Sequence, residues 1–361
     1  MAAALLTLTG DAALTAAFAR ALAPELGAGD TVLLEGPVGA GKSHFARALI
    51  RARLDNPAED VPSPTFTLVQ TYDGTPAIWH ADLYRLTDAA EIDELGLIDA
   101  MDDSIALIEW PDRMDPVPGA LTLRLSNDPD PDLRRIQIIG EPALWTRAVR
   151  AAQRAIFAHQ AGWADAQVAF LAGDASARRY FRLSRDGGAA VLMDADADTL
   201  KPYLTMTEWL RERGFDAPQV LAADPVTGLA LIEDFGDAQL ARVIEADPAQ
   251  ALPLLDRIAA MLARLASFPP APGILALDGP EMARQVGMFA EYYPQAAGAD
   301  ADAIDAAQQI APTIARLHAR LCADLPPVTS LRDFHAENLI LTPDNRLGLL
   351  ATLHEAMNRV A

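Results

Sequence analysis

Lysine is nearly absent from this chain. Lys42 and Lys201 are the only two, and every other Lys/Arg position is arginine. Cysteine is rarer still: Cys322 stands alone, which excludes an internal disulfide framework and a cysteine-based metal centre. It closes the helix-patterned stretch 314–322 and is expected in a core. Positive charge is scarce, with 29 Lys and Arg against 50 Asp and Glu, for a net charge of −21. Both halves share the deficit, −13 up to Trp145 and −8 beyond it. Neither half is therefore expected to bind nucleic acid by phosphate neutralisation, and any RNA connection would run through a basic partner. No apolar run reaches the roughly 20 residues that span a bilayer. The N-terminus lacks a basic leader region and carries Asp11 early, unlike a signal peptide. The chain reads as soluble and cytoplasmic, and its 361 residues suffice for two domains of roughly 150 residues each.

What the chain does have is Gly36-Pro37-Val38-Gly39-Ala40-Gly41-Lys42-Ser43, a match to G-x-x-x-x-G-K-[ST]. The apolar run Thr31–Glu35 before it reads as a strand. Ser43 to Leu54 after it reads as a helix with Phe45, Ala46, Leu49 and Ile50 on one face. A strand, a glycine turn and a helix N-terminus present backbone N–H groups to phosphate. On this pattern Gly36 to His44 cradle the phosphates of ATP, Lys42 reaches the β- and γ-phosphates, and the Ser43 hydroxyl holds Mg²⁺. A chain that otherwise avoids lysine places one where a compact ammonium is needed.

Asp11 to Leu22 reads as an amphipathic helix capped by Asp11. Val61 to Thr65 is stiffened by Pro62 and Pro64, and the rest of that stretch, to Val69, is strand-like. Ala77–Leu86 is a further strand with a polar end, Asp88–Leu97 a short carboxylate-rich helix, and Ser104–Trp110 a buried-type strand ending in Glu109. Leu121–Leu125 and Arg135–Ile139 look like closing strands. Strands alternating with helices indicate a mostly parallel α/β sheet. Glu109 sits where a magnesium-binding acid closes a strand of a P-loop sheet. Asp82 ends a neighbouring strand and could orient water or metal. Thr65 offers a hydroxyl in a switch-like loop. Trp110 lies near the base or simply packs.

Taken together, Gly36–Ser43, Ser63-Pro64-Thr65-Phe66, His80–Leu86, Glu94-Leu95-Gly96-Leu97 and Ile108-Glu109-Trp110-Pro111 make residues 1 to about 140 resemble the TsaE family, the small P-loop ATPases of bacterial threonylcarbamoyladenosine tRNA modification. The resemblance implies ATP with Mg²⁺ at Ser43 and Glu109. It also implies hydrolytic roles for Asp82 and Thr65, and docking on the TsaB–TsaD complex rather than on tRNA directly. Pro37 departs from the small or acidic residue expected there.

Glu141 to His159 reads as a helical, alanine- and arginine-rich connector. Beyond it, Phe170–Leu183 reads as strand, turn, strand, with Asp174-Ala175-Ser176-Ala177 either a phosphate-covering loop or an ordinary hairpin turn. Leu229–Asp237 contains Asp234-Phe235-Gly236, which copies a kinase metal motif but precedes the only candidate catalytic loop, so it reads better as a hinge. Leu252–Phe268 and Ala303–Cys322 are long helical patterns. In Leu331–Leu341, Asp333 and Asn338 have the spacing of a phosphotransferase catalytic loop, with Asp as base and Asn on Mg²⁺. From about residue 165 the chain resembles the aminoglycoside phosphotransferase superfamily, nearest to cell-wall amino-sugar kinases acting on N-acetylmuramate or N-acetylglucosamine. Three departures stand out. Met193 occupies the usual lysine position, Leu331 replaces a histidine, and no Asp follows Leu347–Leu350. The expectation is a truncated kinase half whose Asp333 and Asn338 are vestigial.

The expected organisation is a P-loop three-layer sandwich over residues 1–142, a helical linker over 143–164, and a protein-kinase-like α+β domain over 165–361 that lacks the end of its C-lobe. The leading functional reading is a magnesium-dependent ATPase acting with TsaB–TsaD, joined to an inactive sugar-kinase module. The alternative is an amino-sugar kinase with a regulatory P-loop domain.

Overall fold

The computed structural model describes residues 3–86, 90–173, 178–331, 334–350 and 357–360. The chain divides into two compact units, Met1–Ala197 with Val220–Asp234, and Asp198–Gln219 with Phe235–Ala361.

The first unit begins with β1 (Leu6–Gly10) and α1 (Ala12–Leu22), then β2 (Thr31–Glu35) and α2 (Lys42–Arg53). The Asp11 carboxylate accepts the Leu14 N–H at 2.8 Å, the cap expected from the sequence. Next come β3 (Val69–Tyr72), β4 (Ile78–Asp82), the short helices α3 (Ala90–Glu94) and α4 (Leu97–Ala100), β5 (Ile105–Glu109), β6 (Leu121–Asn127) and β7 (Arg134–Ile139). They form one seven-stranded sheet in the order β1-β7-β6-β2-β5-β4-β3. The central four strands, β6-β2-β5-β4, run parallel, and antiparallel strands flank them on both sides. β5 is buried at all five positions, as a strand covered on both faces must be. Phe18 of α1 meets Phe45 of α2 edge-on at 5.4 Å over one face, while Ala81, Ile108 and Leu97 pack on the other.

Helix α5 (Pro142–Gln160) follows. Its first turns bury Trp145, Ala148 and Ala152 in the core of the seven-stranded sheet. Its last turns bury Phe157 and Ala158 against Phe181, Leu192 and Leu231 of a second, antiparallel sheet. That sheet comprises β8 (Gln167–Gly173), β9 (Arg179–Arg185), β10 (Gly188–Asp194), β11 (Val220–Asp224) and β12 (Leu229–Glu233), in the order β11-β12-β10-β9-β8.

The second unit is mainly helical, with helices Leu240–Ala246, Ala251–Ala266, Gly279–Ala296, Ala301–Gln308 and Ile310–Leu321. A hairpin pairs Leu339–Leu341 with Leu347–Leu349.

Four local expectations are corrected. The stretch after Pro64 is a turn rather than a strand up to Val69: Leu68 has φ +66° and its N–H returns to the Pro64 carbonyl at 2.6 Å. The carboxylate-rich helix is split into α3 and α4 at Gly96, which has φ +65°. The Ala303–Cys322 helix is broken at Gln309, because Pro312 has no N–H to continue the ladder from the preceding turn. Cys322 caps that helix half-buried, outside the core. The Asp174–Ala177 turn, Asp333 and the stretch following Leu350, 351–356, lie outside the described residues.

Candidate nucleotide site

The loop between β2 and α2 is shaped by its glycines. Gly36 has φ +142°, and a Cβ there would collide with the carbonyl oxygen of Leu125 on β6. Gly41, at φ +102°, ends the loop and starts α2, whose first N–H groups have no intrahelical acceptor and face the loop. Pro37 is compatible with this turn. Val38 stands 71% exposed at its crest, and Ala40 is buried beneath it. The His44 ring turns away to the Ala12 carbonyl at 3.0 Å, so that residue offers the loop only its backbone.

Lys42 folds back on its own loop. Its ammonium donates to the carbonyls of Gly36 at 2.8 Å and Pro37 at 3.0 Å, and lies 3.9 Å from the centroid of the Trp110 ring. Burial lowers its pKa below the usual lysine value, while Glu109, Asp82 and Asp112 hold it up. Trp110 reaches this place because its backbone takes φ +59° just past β5; its ring also rests on Tyr84 at 4.9 Å.

The acids come from adjacent parallel strands, with Asp82 of β4 directly opposite Glu109 of β5. Glu109 is almost fully buried. Its Oε2 accepts the Ser43 hydroxyl at 3.1 Å, and its Oε1 lies 3.0 Å from Nε2 of His80. Asp82 accepts the Thr65 hydroxyl at 2.6 Å and the Ser63 hydroxyl at 3.3 Å through Oδ2, and the Tyr84 N–H at 3.0 Å through Oδ1. Ser63 and Thr65 are 2.9 Å apart, and Ser63 lies 3.4 Å from Ser43. The turn that replaced the expected strand is what brings Thr65 to Asp82.

Lys42, Ser43, Thr65, Asp82 and Glu109 therefore meet in one place. Sequence reasoning did not assign a role to His80 or Ser63 and left Trp110 open. Strand alternation carried the signal for His80, since Ile78, His80 and Asp82 must share a face.

A hydroxyl and a single buried carboxylate oxygen facing each other suit magnesium, which keeps several waters and takes its other ligands from phosphates. No group of three or more His, Cys, Asp or Glu able to hold a metal occurs among the described residues, so a cage made wholly of protein is not offered.

In the kinase-like part, Asn338 lies in the short turn Ala336–Asn338, with its amide 3.0 Å from His335 Nε2. Its expected partner Asp333 is outside the described residues. Met193 is fully buried on β10. Asp234 of the Asp-Phe-Gly triplet accepts two bonds from the Arg182 guanidinium, at 2.6 and 3.1 Å.

Comparison with known proteins agrees with both halves. Residues 9–136 match the family model of the threonylcarbamoyl adenosine biosynthesis protein TsaE, and residues 167–350 match that of the phosphotransferase enzyme family. A tRNA threonylcarbamoyladenosine biosynthesis protein TsaE from Rickettsia bellii is 45% identical over 95 residues, 26% of this chain and 65% of the relative. An N-acetylmuramate/N-acetylglucosamine kinase from Caulobacter vibrioides is 33% identical over 245 residues, 56% of this chain and 66% of the relative. The chain thus spans about two thirds of the length of either relative. Among solved structures, Bacillus subtilis YdiB superposes with a TM-score of 0.34 at 23% identity, over 42% of this chain and 97% of that one. With more than half of its residues matched by the second model, the chain belongs to the phosphotransferase enzyme family, and it carries a TsaE-family domain ahead of the phosphotransferase domain.

Proposed function

We propose that the P-loop domain, residues 1–142, hydrolyses ATP in support of threonylcarbamoyladenosine modification of tRNA, acting on a TsaB–TsaD complex. The observation that carries this reading is the convergence of two polar pairs on one phosphate loop: Ser43 with Glu109, and Thr65 with Asp82. Backbone N–H groups from Gly36 to His44 receive the phosphates. The Lys42 ammonium moves from the Gly36 and Pro37 carbonyls to the β- and γ-phosphates, which replace two neutral acceptors with charged ones. Ser43 and Glu109 would hold Mg²⁺, which would supply positive charge to offset the negative charge on the phosphoryl oxygens. Asp82, fixed by the Tyr84 N–H, orients Thr65 and Ser63 towards the γ-phosphate and the attacking water. Binding alone does not require this full set of phosphate, metal and hydroxyl groups.

Beyond the 143–164 linker, the kinase-like domain, residues 165–361, is read as inactive in phosphoryl transfer. Met193 has no charge to pair with phosphate, and Ala351-Thr352-Leu353-His354 supplies no metal-binding Asp. Asp333 and Asn338 are then remnants of a catalytic loop. The likeness to an amino-sugar kinase supports a second reading, in which this half phosphorylates an amino sugar.

ATP turnover measured with and without purified TsaB–TsaD tests the proposal. Stimulation by the partners that is lost in Thr65→Ala is expected. Turnover indifferent to both the partners and Thr65 would overturn it.

A further inference from the structure

We infer that His80 is a positioning residue that dedicates one oxygen of Glu109 to the metal. This rests on the reading of Glu109 as a magnesium ligand. His80 is fully buried, and Glu109 is only 2% exposed. Alternation along β4 puts His80 on the face of Asp82, and β4–β5 pairing sets it diagonally behind Glu109. Its Nε2 meets Oε1 at 3.0 Å, and its Nδ1, also buried, has no hydrogen-bond partner among the described residues. A ring nitrogen facing a carboxylate oxygen carries the proton, so Nε2–H donates to Oε1.

The consequence concerns the two carboxylate oxygens. A free glutamate can grip a cation through both, or rotate. With Oε1 held by His80, only Oε2 faces Ser43, and the acid is restricted to one-oxygen ligation. That matches magnesium, which requires octahedral geometry, better than calcium, which accepts two-oxygen ligation. Groups that orient a ligand in this way typically change metal affinity about 10- to 100-fold when removed. His80 is therefore expected to set both metal affinity and metal choice without touching nucleotide.

The test uses Mn²⁺ titrated into the full chain with a non-hydrolysable ATP analogue and followed by electron paramagnetic resonance. Two amide variants of different reach separate the Nε2 donor from a polar side chain that cannot replace it. The amide nitrogen of His80→Gln reaches the Nε2 position, while that of His80→Asn reaches only the Nδ1 position. Affinity within about threefold of wild type in His80→Gln, and a loss of about tenfold or more in His80→Asn, is expected. Equal affinity in the two variants, at unchanged melting temperature, would overturn the assignment. Nitrogen-15 NMR of wild-type histidines tests it with no variant: a His80 ring protonated only at Nδ1 would also overturn it. Glu109→Gln is the separate control. If that variant binds Mn²⁺ normally, the reading of Glu109 as a ligand fails, whatever His80 does.

Discussion

Replacing Arg154 by alanine should destabilise the first unit, although from sequence the residue belongs to an alanine- and arginine-rich connector. Arg154 is 2% exposed. It donates to Asp194 Oδ2 at 2.7 Å, to Glu25 and to the Ala21 carbonyl at 3.3 Å, and it lies 4.3 Å from the Phe181 ring centroid. Removing one partner of a buried pair typically costs about 3–5 kcal/mol, because the remaining charge is stranded. Here neither acid is stranded completely. Asp194 keeps Arg150 at 2.6 Å, and Glu25 keeps Arg179 at 2.9 Å. The cost should therefore fall at the lower end of that range, about 3 kcal/mol. For a unit of this size that is a drop in melting temperature of roughly 6–12 °C. Arg150→Ala is the internal comparison. Its side chain is 24% exposed and leaves Asp194 with Arg154, so about 1 kcal/mol is expected. Urea unfolding followed by circular dichroism gives both values. A loss below about 1 kcal/mol in Arg154→Ala, or equal losses in the two variants, would refute the reasoning.

Gly36→Ala should abolish nucleotide binding in equilibrium dialysis and lower the melting temperature, since φ +142° and the Leu125 carbonyl both oppose a Cβ. Phosphate binding should draw Lys42 away from the Trp110 ring and change tryptophan emission, and Trp110→Phe should remove that change. Because burial lowers the Lys42 pKa, the unfolded chain holds this proton to higher pH than the folded one, and stability gains from Lys42 as pH rises from its folded pKa towards 10.5. The stability difference between wild type and Lys42→Met should therefore shift in favour of wild type as pH rises towards 10.5. A difference independent of pH would contradict it.

The phosphate loop was legible because its geometry is local: three glycines, one lysine and one serine within eight residues, between a recognisable strand and helix. Glu109 and Asp82 were legible as strand ends. That they sit side by side depends on the β4–β5 register, which no local pattern states. Thr65 was legible as part of a proline-stiffened loop, but the turn that carries it to Asp82 was not, because Leu68 gives no hint that it will take a left-handed conformation. His80 reads as one more residue of an apolar strand until pairing places it behind Glu109. Arg154 illustrates the same limit: arginine in an alanine-rich helix looks solvated, and only the packing of α5 against two sheets buries it. Cys322 erred the other way, since its apolar periodicity held while the helix stopped at Leu321.

The most direct measurement is ADP release from Mg-ATP by the full chain and by Lys42→Ala, each with and without N-acetylmuramate. Turnover that ignores the sugar and disappears in Lys42→Ala is expected. Sugar-dependent turnover that survives Lys42→Ala would contradict it, because the activity would then reside in the phosphotransferase domain.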